Sequence, residues 1–303
     1  MMMRKSRRKQ KGGNHHRTKK RNKFIKLNCS PDANGHSFSC YSKEDLKILK
    51  DTWNTKNPHA PIKSNDCKLI WKMLKFYLKR KCDKESCWTK SIVDDHTERK
   101  HLLDSFSPQS PLIWKKNPNE WLSSVEIINV MKQYENAYKC FKFIGPSPID
   151  FDDPKSYGSC VWEDLCKFNL QNHINKNKFK IGIIFNTDPH YKDGEHWISL
   201  FINCKKKLIF FFDSVGSKPP PEIMKFVRKI QDQGRSLKKP IEFTYDENHP
   251  FEHQKKNTEC GVYSLYFIVH MLKDKLGKDY LKTKNLPDEY IQQFRKIYFN
   301  EDL

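Results

Sequence analysis

Acidic side chains are missing from residues 1–26, where twelve Lys and Arg stand unopposed. Such a segment has nothing to bury and is expected to be a disordered basic tail. Apolar runs long enough to cross a bilayer are also missing, which excludes a helical membrane protein. No apolar stretch follows the basic start, so the pattern of a secretory signal is absent. The ten cysteines lack the spacing of a disulfide framework. Without a secretory signal they read as reduced intracellular thiols.

What is present is a chain of 303 residues with 37% hydrophobic and 13% aromatic content, enough for a large core. Its net charge is +21, and the tail alone supplies more than half of that excess. Clustered Lys and Arg release counterions from phosphate whatever the base sequence, so the tail is a candidate for DNA contact or nuclear targeting.

Three segments follow from texture: the tail at 1–26, an N-terminal helical region at 27–110, and an α+β region at 111–303. In the second, Ser42 and Asp45 make a capping box ahead of a helix. The run from Cys67 carries Leu69, Ile70, Met73, Leu74, Tyr77 and Leu78 at helical spacing. Cys82, Cys87, His96 and His101 are a conceivable zinc set, but the gap between the pairs is short, the first pair is wider than usual, and buried or incidental thiols are the default reading. A Pro-containing hinge spans 105–120, and a helix follows with Leu122, Val125, Ile128, Val130 and Met131 as its apolar face.

Beyond residue 140 the order becomes α+β. A short strand at 141–144 ends at Pro146 and Pro148, and a helix covers 159–170. KIGIIFNT reads as a strand covered on both faces. HWISLFINC and KLIFFFDS make a hairpin through Cys204–Lys207. A helix starts at Pro219–Pro221 and stops at Gly234, IEFTYDE is a fourth strand, and a last helix covers 287–298.

NTECGVYSLYFIVHML, residues 257–272, is the centre of the chain. Its apolar spacing makes Cys260 the first residue of a buried helix, where unpaired N–H groups and the helix dipole favour a thiolate. Gly261 lets the backbone approach whatever the sulfur attacks. His196 opens the second strand and Asp213 closes the third, so antiparallel pairing sets them side by side at one sheet end. A carboxylate beside an imidazole fixes its tautomer, and the imidazole can then activate a thiol. Gln254 can donate to an oxyanion, and Asn257 is its rival. His249, His253 and His270 are rival bases. Trp197 adjoins His196 and can wall the site.

His196-Trp197, Asp213-Ser214, Gln254 and Glu259-Cys260-Gly261 resemble the motifs of the adenain/Ulp1 superfamily of cysteine proteases, most of all versions encoded by large DNA viruses. The resemblance covers residues 40–303 and is specific over 194–272. It implies a papain-related core, a central mixed sheet flanked by helices, preceded by a helical region. It implies Cys260 as nucleophile, His196 as base, Asp213 as orienting acid and Gln254 as oxyanion donor, with no cofactor, metal or membrane. It further implies cleavage after Gly-Gly or Gly-X, with Trp197 and Trp121 walling a narrow tunnel. The implied partners are viral structural or core precursors, and the implied location is the virion or the viral factory in the host cytoplasm. The alternatives are an isopeptidase for SUMO or another ubiquitin-like modifier, and a DNA-binding virion protein with a dead protease fold.

The tail reading makes one prediction. DNA affinity should fall steeply with salt in the full chain and vanish when residues 1–26 are deleted; full affinity in the truncated protein rejects it.

Overall fold

The computed structural model describes residues 28–82, 84–155 and 158–300, so the expectation for residues 1–26 lies outside the described residues. A five-stranded mixed sheet organises the region after residue 110: β1 (Phe141–Pro148), β2 (Lys180–Asn186), β3 (Trp197–Asn203), β4 (Leu208–Phe212) and β5 (Thr244–Glu247), side by side in sequence order. The pairs β1–β2 and β4–β5 are parallel, while β2–β3 and β3–β4 are antiparallel. Period-two alternation splits the side chains between two cores. Phe201, Phe210 and Phe212 face one layer; Leu200, Ile202, Ile209 and Phe211 face the other.

The first layer holds α5 (Ser124–Ala137), α9 (Cys260–Leu272) and the short terminal helices α10 (Tyr280–Thr283), α11 (Asp288–Gln292) and α12 (Arg295–Tyr298). The second holds α6 (Glu163–Cys166), α7 (Leu170–Asn175) and α8 (Pro221–Arg235). All but one residue of α9 is buried, which its almost continuous apolar sequence requires. Its Phe267 ring stacks on Phe212, 4.9 Å between centroids, and meets Phe210 at 5.8 Å. At Gly182 on β2 a Cβ would lie 2.8 Å from Ile268, so only glycine lets α9 settle this close to the sheet.

The N-terminal region has its own core around α1 (Lys43–Lys56), α2 (Cys67–Leu78), α3 (Trp88–Ile92) and α4 (His96–Leu103). The Ser42/Asp45 capping box forms as expected. Glu85 is buried there and accepts from Ser39 Oγ (2.7 Å), the Cys40 N–H (2.8 Å) and Trp71 Nε1 (2.7 Å). Burial raises its pKa despite those donors. Backbone bonds Ser110 to Asn300 (2.9 Å) and Asn300 to Pro108 (2.8 Å) tie the expected hinge to the end of the last helix.

Several expectations need correction. Val125 and Ile128 are 58% and 36% exposed; Ile127, Val130, Met131 and Tyr134 form the buried face of α5 instead. Leu122 is buried ahead of the helix, not on it. Strand β1 runs through Pro146 and ends at Pro148, by way of a register shift between Ile144 and Ser147 that absorbs the missing N–H. The expected helix at 159–170 is two short ones, as is the one at 287–298, and α8 passes through Gly234. Cys29–Cys40, Cys82–Cys87 and Cys160–Cys166 are paired as disulfides, with Cα atoms 5.1, 6.0 and 6.6 Å apart. Six of the ten thiols therefore depart from the reduced reading. Two members of the conceivable zinc set are thereby bonded to each other, and His101 lies 3.5 Å from Asp45.

Phe267 joins α9 to three strand residues, Phe201, Phe210 and Phe212. Phe267→Ala should cost about 3–5 kcal/mol, read as a lower urea midpoint at unchanged slope.

Candidate active site

The site is built first by the β3–β4 hairpin. Its ladder ends at Ser199 opposite Phe212, so Asp213 leaves β4 beside the start of β3, where His196 stands. The His196 carbonyl accepts from the Thr187 N–H (2.9 Å), which fixes the backbone on one side. Asn248 fixes the other. Fully buried, it accepts from the Asp213 N–H through Oδ1 (2.9 Å) and donates to the Asp213 carbonyl through Nδ2 (2.7 Å). Asp213 cannot rotate without breaking both bonds.

His196 Nε2–H donates to Asp213 Oδ1 at 2.7 Å, and the Val215 N–H donates to the same oxygen at 3.0 Å. That commits Nε2 to Asp213 and leaves Nδ1 as the ring nitrogen open to a thiol, and Cys260 is among the neighbours that raise the ring's pKa. Burial alone would press the ring toward its neutral form. The Asp213 bond and the Cys260 contact outweigh it and hold the His196 pKa up at about 10. The imidazolium is thus the favoured state of the ring at neutral pH.

Cys260 is the first residue of α9 and 2% exposed. Its sulfur meets the free N–H end of a 13-residue helix. The next residue has a different role from the expected one. A Cβ on Gly261 would lie 2.9 Å from the Leu122 Cβ, so this glycine admits the segment that enters α5 rather than the group under attack.

Gln254 is 3% exposed. Ser214 Oγ–H donates to its Oε1 at 2.7 Å, which orients the amide, and Nε2 donates to the Lys256 carbonyl with one N–H remaining. The Gln254 and His253 N–H groups both donate to the Ser214 carbonyl (2.8 Å each). Asp213-Ser214 therefore positions the carboxylate and the amide together. Asn257 is exposed. The rival histidines are engaged elsewhere: His249 with the Gly216 carbonyl, His253 between Leu281 and Leu286, and His270 with the Tyr266 carbonyl. Burial lowers the pKa of His253 and takes that of His270 down to about 4.

A cleft of about 700 Å³ is lined in part by Trp121, Leu122, Trp162, His190 and Trp197, and His196, Asp213, Gln254 and Cys260 are not themselves in its lining. Both tryptophans expected as walls line it. Trp121 is 38% exposed, whereas Trp197 is buried and its Nε1 donates to the Leu122 carbonyl at 2.9 Å. The cleft joins His196 through Trp197 and Cys260 through Leu122 on Gly261.

Sequence reasoning missed Asn248, which sits in a polar run before Pro250 and reads as a turn former. It also gave Ser214 no role of its own, though the residue stands inside a quoted motif. Their signal is three-dimensional: a buried side chain serving a backbone 35 positions away.

Comparison with known proteins adds the following. The family model described as the C-terminal catalytic domain of the Ulp1 protease family matches residues 125–303. A protein of Acanthamoeba polyphaga mimivirus named as a thiol protease is 31% identical over 199 residues, 65% of this chain and 61% of its own length. The chain thus spans about three fifths of that relative. A SUMO-1 cysteine protease of African swine fever virus is 24% identical over 253 residues, 77% of this chain and 89% of its own. The crystal structure of an African swine fever virus protease superposes with a TM-score of 0.62 at 20% identity, covering 91% of this chain and 98% of that one. That likeness establishes a shared fold.

The raised His196 pKa has a definite sign. Its stabilisation is fully present below the ordinary value of 6.5 and is lost as pH rises through about 10. Tm should fall over that window in the wild type, and His196→Ala should flatten the fall. An equal alkaline decline in both proteins contradicts the assignment.

Proposed function

The chain belongs to the Ulp1 protease family and is a cysteine protease; from that premise we propose that Cys260, His196, Asp213 and Gln254 carry the reaction, and that it cuts polypeptides after Gly-Gly or Gly-X. The observation that carries this reading is His196, bonded to Asp213 through Nε2 at 2.7 Å and close enough to Cys260 for the thiol to shift its pKa.

The mechanism follows from the donors in place. The Cys260 thiol proton resides on His196 Nδ1, as the raised pKa of that ring requires, and the sulfur attacks the scissile carbonyl. The oxyanion that forms takes hydrogen bonds from the spare Gln254 Nε2–H and the Cys260 N–H. His196 then passes its proton to the leaving amine, the C–N bond breaks, and a thioester remains. Water, deprotonated by the same imidazole, adds to the thioester and releases the acid and the thiol. Asp213 stays ionised throughout and holds the ring in its tautomer.

The specificity reading rests on the pinned indole. Trp197 cannot swing aside while its Nε1 holds Leu122, so the cleft wall they form is fixed and favours residues without side chains. Trp121 in the cleft wall and Val125 and Ile128 on the first turns of α5 are partly exposed, which supports a protein rather than a short peptide as substrate. The proposed substrates are structural or core precursors, with the enzyme carried in assembling particles. A second reading, release of a SUMO-like modifier, is favoured by the name of the African swine fever virus relative.

Cleavage profiling decides among these. Cys260→Ala should abolish turnover, Gln254→Ala should cost about 10²–10³ in kcat, and Asn257→Ala should cost little. Turnover of a modifier carrying a C-terminal fluorophore, faster than cleavage of virion precursors, selects the second reading. Retained activity in Cys260→Ala refutes both.

A further inference from the structure

The residue before the nucleophile carries a charge that the mechanism does not use. Glu259 is 2% exposed and stands at the N-cap position of α9, yet its side chain makes no cap bond. Its Oε2 accepts instead from Arg295 Nε at 2.9 Å, and Arg295 is itself 4% exposed. The same guanidinium donates through Nη1 to the Glu120 carbonyl at 2.7 Å and through Nη2 to the Thr258 carbonyl at 3.3 Å. Its plane rests 4.6 Å from the Trp114 ring centroid. One side chain of α12 therefore touches both the loop entering the nucleophile helix and the segment that leads into Trp121 and Leu122.

From this geometry we infer that Arg295 is a positioning residue: it neutralises Glu259 next to Cys260 and holds the nucleophile and the cleft wall in one frame. This rests on the reading of Cys260 as nucleophile. A buried carboxylate one residue from a developing thiolate opposes it, because like charges in a poorly hydrated site interact strongly. The fork of Arg suits this double duty, since it can serve a carboxylate and two carbonyls at once, which a lysine cannot. The other charged groups around Glu259 leave the duty to Arg295. Lys256 is drawn to the Glu289 carboxylate at 2.8 Å, and Asp288 accepts from the Lys255 and Lys256 N–H groups and from Tyr263. The Glu120 carboxylate is turned to Asn117 and the Trp121 N–H. On the far side Cys260 meets His196, which is paired with Asp213.

The test is alkylation of Cys260 by iodoacetamide in the full chain, followed against pH by mass spectrometry. Arg295→Met should slow labelling at neutral pH roughly tenfold and move the profile up by about one pH unit. Glu259→Gln added to it should restore the profile, because no uncompensated carboxylate then remains. Arg295→Lys keeps the charge and should label like the wild type, while KM rises because the contact to Glu120 is lost. Should Arg295→Met not fold, Glu259→Gln alone carries the test, since an uncompensated guanidinium should move labelling to lower pH. An unmoved profile in Arg295→Met or in Glu259→Gln overturns the inference. So does a double variant as displaced as the single one, or a lysine variant as displaced as the methionine one. The nucleophile reading fails separately, if wild-type Cys260 does not label.

Discussion

The hydrogen bond between His196 and Asp213 is the constraint on which the site depends, and it is a property of strand register before it is a property of chemistry. Four residues, Cys204–Lys207, join β3 to β4. A slip of one residue in that pairing would turn every side chain on β4 to the opposite core, exchanging Phe210 and Phe212 for Ile209 and Phe211. The two packed cores therefore hold the register, and the register places the carboxylate against the imidazole. Asn248 and Ser214 then convert a strand end into a fixed geometry, one gripping the Asp213 backbone and the other orienting Gln254.

Reading the chain alone reached the sheet and the helix start because both are written in local periodicity. The continuous apolar run of β2, the hairpin and the apolar sequence from Cys260 each carry a signal over a few residues. The α5 face is not legible locally, because Val125 and Ile128 look like core by composition and only the packed fold leaves them exposed. The prolines of β1 were read as a stop because an isolated strand loses a donor there; the register shift removes the need for it. Residues acting across the chain were out of reach: Arg295 serves Glu259 from 36 positions away, and no spacing rule connects them.

The sulfur chemistry divides the same way. The three disulfides join residues 11, 5 and 6 positions apart, so each closes a small local loop. None spans the sheet. Among the described residues the free thiols include Cys204, whose pKa burial pushes up to about 11, and Cys260, which alone of these lies beside an imidazole. Location, rather than thiol count, separates an inert sulfur from a reactive one.

The near-complete enclosure of Cys260 has a practical consequence. A covalent inhibitor must bring a slender warhead past a Trp197 indole that is tethered in place, so bulk next to the reactive carbon will be rejected before any bond forms. A flat, glycine-like lead-in with its larger groups set farther out, toward Trp121 and Trp162, matches the space that the cleft offers.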